Sequence, residues 1–128
     1  TFCTELTGLA QKEVDGGMTF PQACEFLGSR AGNVVWASWG DYDRRIWEEA
    51  CNLFGVKNPL GQQHLNIKAL FGVSQGKWAR GLGIALKDLD MAHVGRPHSG
   101  GDDALTAAMV LHRLIGERTR NRGIIPIS

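Results

Sequence analysis

Two short stretches of this sequence combine carboxylates and glycines with groups that can take part in chemistry: Ser38-Trp39-Gly40-Asp41-Tyr42-Asp43 and His98-Ser99-Gly100-Gly101-Asp102-Asp103. Carboxylate oxygens are hard ligands for divalent cations, and an imidazole can take up or release a proton near neutral pH. Glycines beside such groups let a ligand approach the backbone. Metal-assisted or acid–base chemistry is therefore within reach of these residue types. Plainer readings stand beside it. Asp102 suits a helix N-cap, whereas Asp103, one residue on, is better placed to point off the first turn into a cleft. His98 taken alone is an ordinary loop histidine. Its position five residues before Asp103, next to two glycines, separates it from His64 and His93, which lack such neighbours, and from His112 in mid-helix.

Other chemistries find little support. No HxxxH or CxxC spacing is present for zinc, and no GxSxG for a serine nucleophile. The three cysteines, Cys3, Cys24 and Cys51, are an odd number. They disfavour a disulfide framework and favour a reduced, cytoplasmic setting. The net charge of +1 sets up no global field for nucleic acid. Arg113, Arg118, Arg120 and Arg122, set against Glu117 alone, read either as a solvated helix end or as a phosphate-contacting patch. No apolar run approaches the ~20 residues of a membrane span.

The elements that must position these residues follow from periodicity. The chain has 128 residues, 43% of them hydrophobic, which suits a single unit spanning residues 1–128. A short helix is expected over Thr4–Val14, stopped at Asp15-Gly16-Gly17, and a second from Phe20 or Pro21 to Ser29. Asn33–Trp39 is β-branched and aromatic between Gly32 and Gly40, the signature of a buried strand. A helix follows over Asp43–Phe54, closed by Gly55. Strand, tight turn and helix place the turn residues in a cleft at the strand's carboxyl end. Further on come an apolar segment over Leu65–Leu70, a helix over Leu82–Met91, and a long helix from near Asp102. The apolar stripe of that last helix is Ala104, Ala107, Ala108, Leu111, Leu114 and Ile115. Ile124–Ile127 reads as an edge strand because of Pro126. The pattern is α/β with too few strands for a balanced sheet domain.

His98-x-Gly100-x-x-Asp103 resembles the third motif of the DEDDh 3′→5′ exonucleases, HxAxxD, with Gly for the usual Ala. Tyr42-Asp43 after a strand resembles their second motif. The strings Phe2-Cys3-Thr4-Glu5-Leu6-Thr7-Gly8-Leu9, Ser38 to Asp43, and Gly95-Arg96-Pro97-His98 resemble the branch that trims RNA 3′ ends, with its bacterial relatives. The resemblance runs from Phe2 to Leu114. It implies the C-terminal part of a ribonuclease H-like (DnaQ-like exonuclease) fold, a mixed sheet flanked by helices. The class also has an Asp-x-Glu first motif on an earlier strand, and these residues contain none. Most N-terminal strands are therefore expected to be missing from this chain.

The resemblance further implies two-metal phosphodiester hydrolysis with Mg²⁺ or Mn²⁺. Asp43 and Asp103 would be metal ligands, and His98 would be the general base. Leu6, Leu9 and Trp39 are candidates for the wall against which the terminal base stacks, though all three also read as core. The implied partner is a single-stranded 3′ end, RNA before DNA, with no membrane. A further segment or chain would have to supply Asp-x-Glu, and this chain alone would be inactive. The alternative is a non-catalytic module that keeps the fold and binds nucleic acid or protein.

Overall fold

The computed structural model describes residues 2–78 and 80–121, which fall into two compact units, Thr1–Leu65 and Asn66–Ser128. In the first unit the chain opens with two short helices, α1 (Phe2–Thr7) and α2 (Gln11–Asp15), where periodicity alone predicts one. Gly8 breaks the run. Its φ of 78° is left-handed, and the Thr7 hydroxyl accepts the Leu9 N–H at 3.2 Å, which diverts the backbone from the helical ladder. The Glu13 carboxylate then accepts the Ala10 N–H at 2.7 Å and restarts the helix.

Helix α3 (Phe20–Ala31) begins at a capping box. Thr19 Oγ1 accepts from Gln22 N at 3.3 Å, and Gln22 Oε1 accepts from Thr19 N at 2.9 Å. Pro21 occupies the first turn, where its missing N–H costs nothing. The strand that follows, β1 (Trp36–Ser38), is shorter and wetter than its composition predicts. Val34 and Val35 lie outside it and are exposed. A β-branched run reports side chains that fit a pleated surface, but burial depends on neighbouring strands. Among the described residues only β2 (His64–Asn66) pairs with β1.

Between the two strands runs α4 (Tyr42–Phe54). Gly55 ends it in the left-handed conformation, φ 64°, while Val56 N returns to Cys51 O at 3.0 Å. The helix is held by aromatic packing. Phe20 meets Trp47 and Phe54 with ring centroids 5.0 and 5.1 Å apart. Trp47 Nε1 donates to Asn58 Oδ1 at 3.1 Å, which fixes the loop beyond α4. Cys24 and Cys51 are the buried hydrophobic side chains of this unit, and burial pushes the Cys51 thiol up.

In the second unit, the apolar segment expected over Leu65–Leu70 divides in two. Its first residues belong to β2 and the rest open α5 (Ile67–Gln75), because the Asn66 side chain caps that helix by accepting from Ala69 N at 2.9 Å. Then come α6 (Leu82–Asp88), three residues shorter than predicted, and α7 (Gly100–Asn121). Helix α5 packs on α7. The buried side chains are Ile67, Phe71, Ala85, Leu86, Leu89, Thr106, Ala107, Val110 and Leu114.

The stripe of α7 therefore differs from the predicted one. Ala104, Ala108 and Ile115 are exposed, and Thr106 and Val110 take the interior instead. Half of the predicted stripe is alanine, a side chain too small to commit a helix face to the interior. The edge strand expected over Ile124–Ile127 lies outside the described residues, as does Arg122. No helix among the described residues is long and apolar enough to cross a membrane.

Candidate functional site

The first cluster sits on the turn from β1 into α4. Gly40, buried and at φ 99°, makes the turn. The two aspartates that follow it are set apart by their partners. Arg44 holds Asp41 bidentately, with Nε–Oδ1 at 2.8 Å and Nη2–Oδ2 at 2.9 Å. That contact lowers the Asp41 carboxyl below its ordinary value. Asp43, in the first turn of α4, is exposed, and no hydrogen bond or ion pair engages it among the described residues. Its oxygens are thus available to a cation, while those of Asp41 are committed to a guanidinium.

A second pair, absent from the sequence reading, stabilises the same turn. Ser38 Oγ lies 2.8 Å from His64 Nε2 and donates to Gly40 O at 3.1 Å. A hydroxyl that spends its proton on a carbonyl receives one from the ring, so His64 Nε2 is the donor. The ring also rests on Trp36, with centroids 4.4 Å apart. Sequence gave no warning, because His64 and Ser38 lie on different strands.

The second cluster is the loop between α6 and α7. Two residues in and around it carry positive φ without being glycine, Asp90 at 53° and His98 at 67°. His98 is exposed and stands in a conformation that costs an L-residue energy, a kind of strain that clusters at functional sites. The loop is tied to α7 at several points. Thr106 Oγ1 accepts from Val94 N at 3.1 Å and donates to Asp102 O at 2.8 Å. Asp102 Oδ2 accepts from Arg96 N at 2.9 Å.

The N-cap role expected for Asp102 is not what the structure has. The helix begins at Gly100, so Asp102 lies inside its first turn and reaches back to the loop. Gly95, at φ 66°, must be glycine, because a Cβ there would strike the Asp102 carboxylate. The Arg96 N–H and then the Ser99 side chain lower the Asp102 carboxyl from its ordinary value. Asp103, next along, has a different surrounding. Its Oδ1 lies 2.7 Å from His93 Nε2 and accepts from His98 N at 3.2 Å. No hydrogen bond reaches Oδ2 from the described residues.

The structure thus brings His98 and Asp103 together through a backbone contact and adds His93, which the sequence reading had set aside. Asp43 lies in the first unit. Leu6 and Leu9 are 39% and 52% exposed among these residues, and Trp39 is half-buried. Asp43 and Asp103 fit a hard divalent cation in donor type and in having free oxygens. Among the described residues no group of three or more His, Cys, Asp or Glu is placed to hold one.

Strand, glycine turn, helix-borne aspartate, then a loop histidine ahead of a second helix-borne aspartate: this arrangement is part of a DEDDh nuclease domain. The nuclease domain of 3′hExo, a DEDDh family member solved bound to rAMP, superposes with a TM-score of 0.79 at 29% identity, over 91% of this chain and 64% of that one. A 3′-exonuclease solved in 3′-end-specific recognition of a histone mRNA stem-loop gives 0.77 at 27%, over 91% and 57%. In sequence, ERI1 exoribonuclease 3 of Homo sapiens is 33% identical over 127 residues, covering 88% of this chain. The 3′-5′ exonuclease Snipper of Drosophila melanogaster is 26% identical over 136 residues, covering 89%. No family model matches. By sequence and fold the chain is similar to the DEDDh 3′→5′ exonucleases. It spans 37% of the length of the human relative and 48% of the fly one.

Proposed function

We propose that the complete protein is a metal-dependent 3′→5′ exonuclease that removes nucleotides from single-stranded 3′ ends, RNA before DNA. The observation that supports this best is Asp103, fixed at Oδ1 and open at Oδ2, five residues after an exposed and strained His98. A carboxylate with one oxygen anchored and one free is a pre-oriented ligand. The rAMP bound in one related structure and the histone mRNA stem-loop recognised in another support the substrate class.

In this reading Asp43 and Asp103 would each be a ligand for divalent cations, Mg²⁺ or Mn²⁺. When bound, these supply positive charge that activates the attacking water and stabilises the leaving 3′ oxygen. His98 is the general base, taking the water's proton on a ring nitrogen. Its exposure lets it meet substrate and solvent. Leu6, Leu9 and Trp39 form an apolar wall for the terminal base, and the exposure of the two leucines supports that role. The DEDDh pattern also has an Asp-x-Glu pair, and these 128 residues contain none. The free cysteines support a cytoplasmic setting.

The test is digestion of oligonucleotides labelled at the 5′ end, RNA and DNA, with Mn²⁺ and with EDTA. The expected result is a ladder shortening from the 3′ end that EDTA abolishes. Degradation that ignores EDTA, or that starts at the 5′ end, overturns the proposal.

A further inference from the structure

His93 has a buried ring nitrogen, Nδ1, with no hydrogen-bond partner. Buried polar atoms are nearly always paired, so an orphan calls for an explanation. A ring that only filled space would do better as phenylalanine, and His93 must therefore be held for what Nε2 does. That atom lies 2.7 Å from Asp103 Oδ1, with the imidazole side chain 17% exposed. One explanation is that the contact simply ties the loop between α6 and α7 to α7. The loop does not need it. Val94, the next residue, is already joined to the fully buried Thr106, and Arg96 to Asp102. What the His93 contact adds is a fixed orientation for one carboxylate.

Helical geometry explains why that orientation matters. Asp103 continues the buried line of α7, Thr106–Ala107–Val110–Leu114, towards the helix N-terminus at spacings of three and four. Its side chain, 39% exposed, therefore leaves the helix at the open end of that line. Two donors converge on Oδ1, one from the His93 ring and one from the His98 backbone. Rotation about the Cβ–Cγ bond is then blocked, and Oδ2 is the oxygen left for a ligand. We infer that His93 is a positioning residue: its Nε2–H holds Asp103 Oδ1 so that Oδ2 is presented to a divalent cation. The inference rests on the reading of Asp103 as a metal ligand.

The experiment measures Mn²⁺ binding to the complete protein without substrate, by the electron paramagnetic resonance signal of free Mn²⁺, with thermal unfolding alongside. Four variants are compared. His93→Phe keeps the bulk and removes the donor, and His93→Gln restores a donor at similar reach. Thr106→Val breaks the separate loop tether, and Asp103→Asn removes the ligand charge. Removing a partner that orients a ligand typically weakens metal binding about 10- to 100-fold. His93→Phe is expected to do so while unfolding close to the wild-type temperature, and His93→Gln to recover most of the affinity. Thr106→Val should lower the unfolding temperature with little effect on Mn²⁺ affinity in the folded protein. If Asp103→Asn weakens Mn²⁺ but His93→Phe does not, the inference is overturned and the ligand reading stands. If Asp103→Asn binds Mn²⁺ like wild type, the ligand reading itself fails. If His93→Gln is as weak as His93→Phe, the ring is a ligand rather than a donor, and the inference fails in that way. Should His93→Phe not fold, His93→Gln decides alone: near-normal affinity supports the inference and tenfold loss overturns it.

Discussion

Asp102 and Asp103 are neighbours in sequence with different duties, because consecutive helical residues point about 100° apart. One carboxylate is turned back onto the loop to hold Arg96 N, and the other meets the His93 ring and the His98 N–H. The same separation of roles governs how variants should behave. A base that accepts a proton in the transition state contributes to rate, whereas a ligand contributes to metal occupancy. His98→Ala in the complete protein should lose about 10²- to 10⁴-fold in turnover with little change in metal affinity. Asp103→Asn should lose metal binding and be partly rescued by more Mn²⁺. Initial rate against Mn²⁺ concentration for both variants separates the two, and equal rescue of His98→Ala would show that His98 is not the base. The backbone carries a second expectation. His98 stands at φ 67°, where glycine escapes the steric cost that an L-residue bears. His98→Gly should therefore be about 1 kcal/mol more stable to urea than His98→Ala, while both are slow. Equal stability would mean that the left-handed conformation is not retained in solution.

Elements were legible where their signals were local. Pro21 in the first turn and Gly55 lie within a few residues of what they control, and α3 and α4 came out close to expectation. Misreadings occurred where the deciding partner is remote or subtle. Thr7 and Gly8 cut a helix that composition alone would continue, and β2 is defined by pairing with a strand far back in sequence. The start of α7 shows the same limit. Gly100 and Gly101 are poor helix formers, and what brings them into the first turn is the anchoring of Asp102 to the loop in front of them. That anchoring depends on charge. The carboxyl of Asp102 lies below its ordinary 3.8 in the folded chain. Its contribution to stability is thus complete above the unfolded value and disappears as pH falls through the lower folded one. Asp102→Asn should be destabilised relative to wild type near neutrality, and the gap should close in acid. Urea unfolding midpoints of both proteins between about pH 6 and pH 2 check it. A gap that stays constant would mean that the carboxylate charge is not what holds the loop.

At the scale of the whole chain, the family resemblance was readable because three motif strings occur in order, each weak alone. Asp43 and the pair His98 and Asp103 are far apart in sequence, and order along the chain carried the resemblance that composition could not. What sequence could not give was the surrounding of each motif. His93 on Asp103 and His64 on Ser38 are tertiary contacts with no periodic trace. The same logic bounds what these residues can do alone. Hard cations bound by few carboxylates retain most of their water and dissociate readily. Asp43 and Asp103 are two acids, and no larger ligand group occurs among the described residues. The 128-residue chain on its own should therefore bind Mn²⁺ weakly and release no nucleotide from a labelled oligonucleotide, whereas a longer protein that joins it to an Asp-x-Glu segment should bind Mn²⁺ tightly and shorten the oligonucleotide. Parallel Mn²⁺ titrations and digestions of the two proteins at equal concentration check this. EDTA-sensitive shortening by the isolated chain would show that Asp43, His98 and Asp103 suffice, and that the Asp-x-Glu pair is dispensable here. Tight Mn²⁺ binding without cleavage would instead place the missing contribution in the handling of substrate rather than of metal.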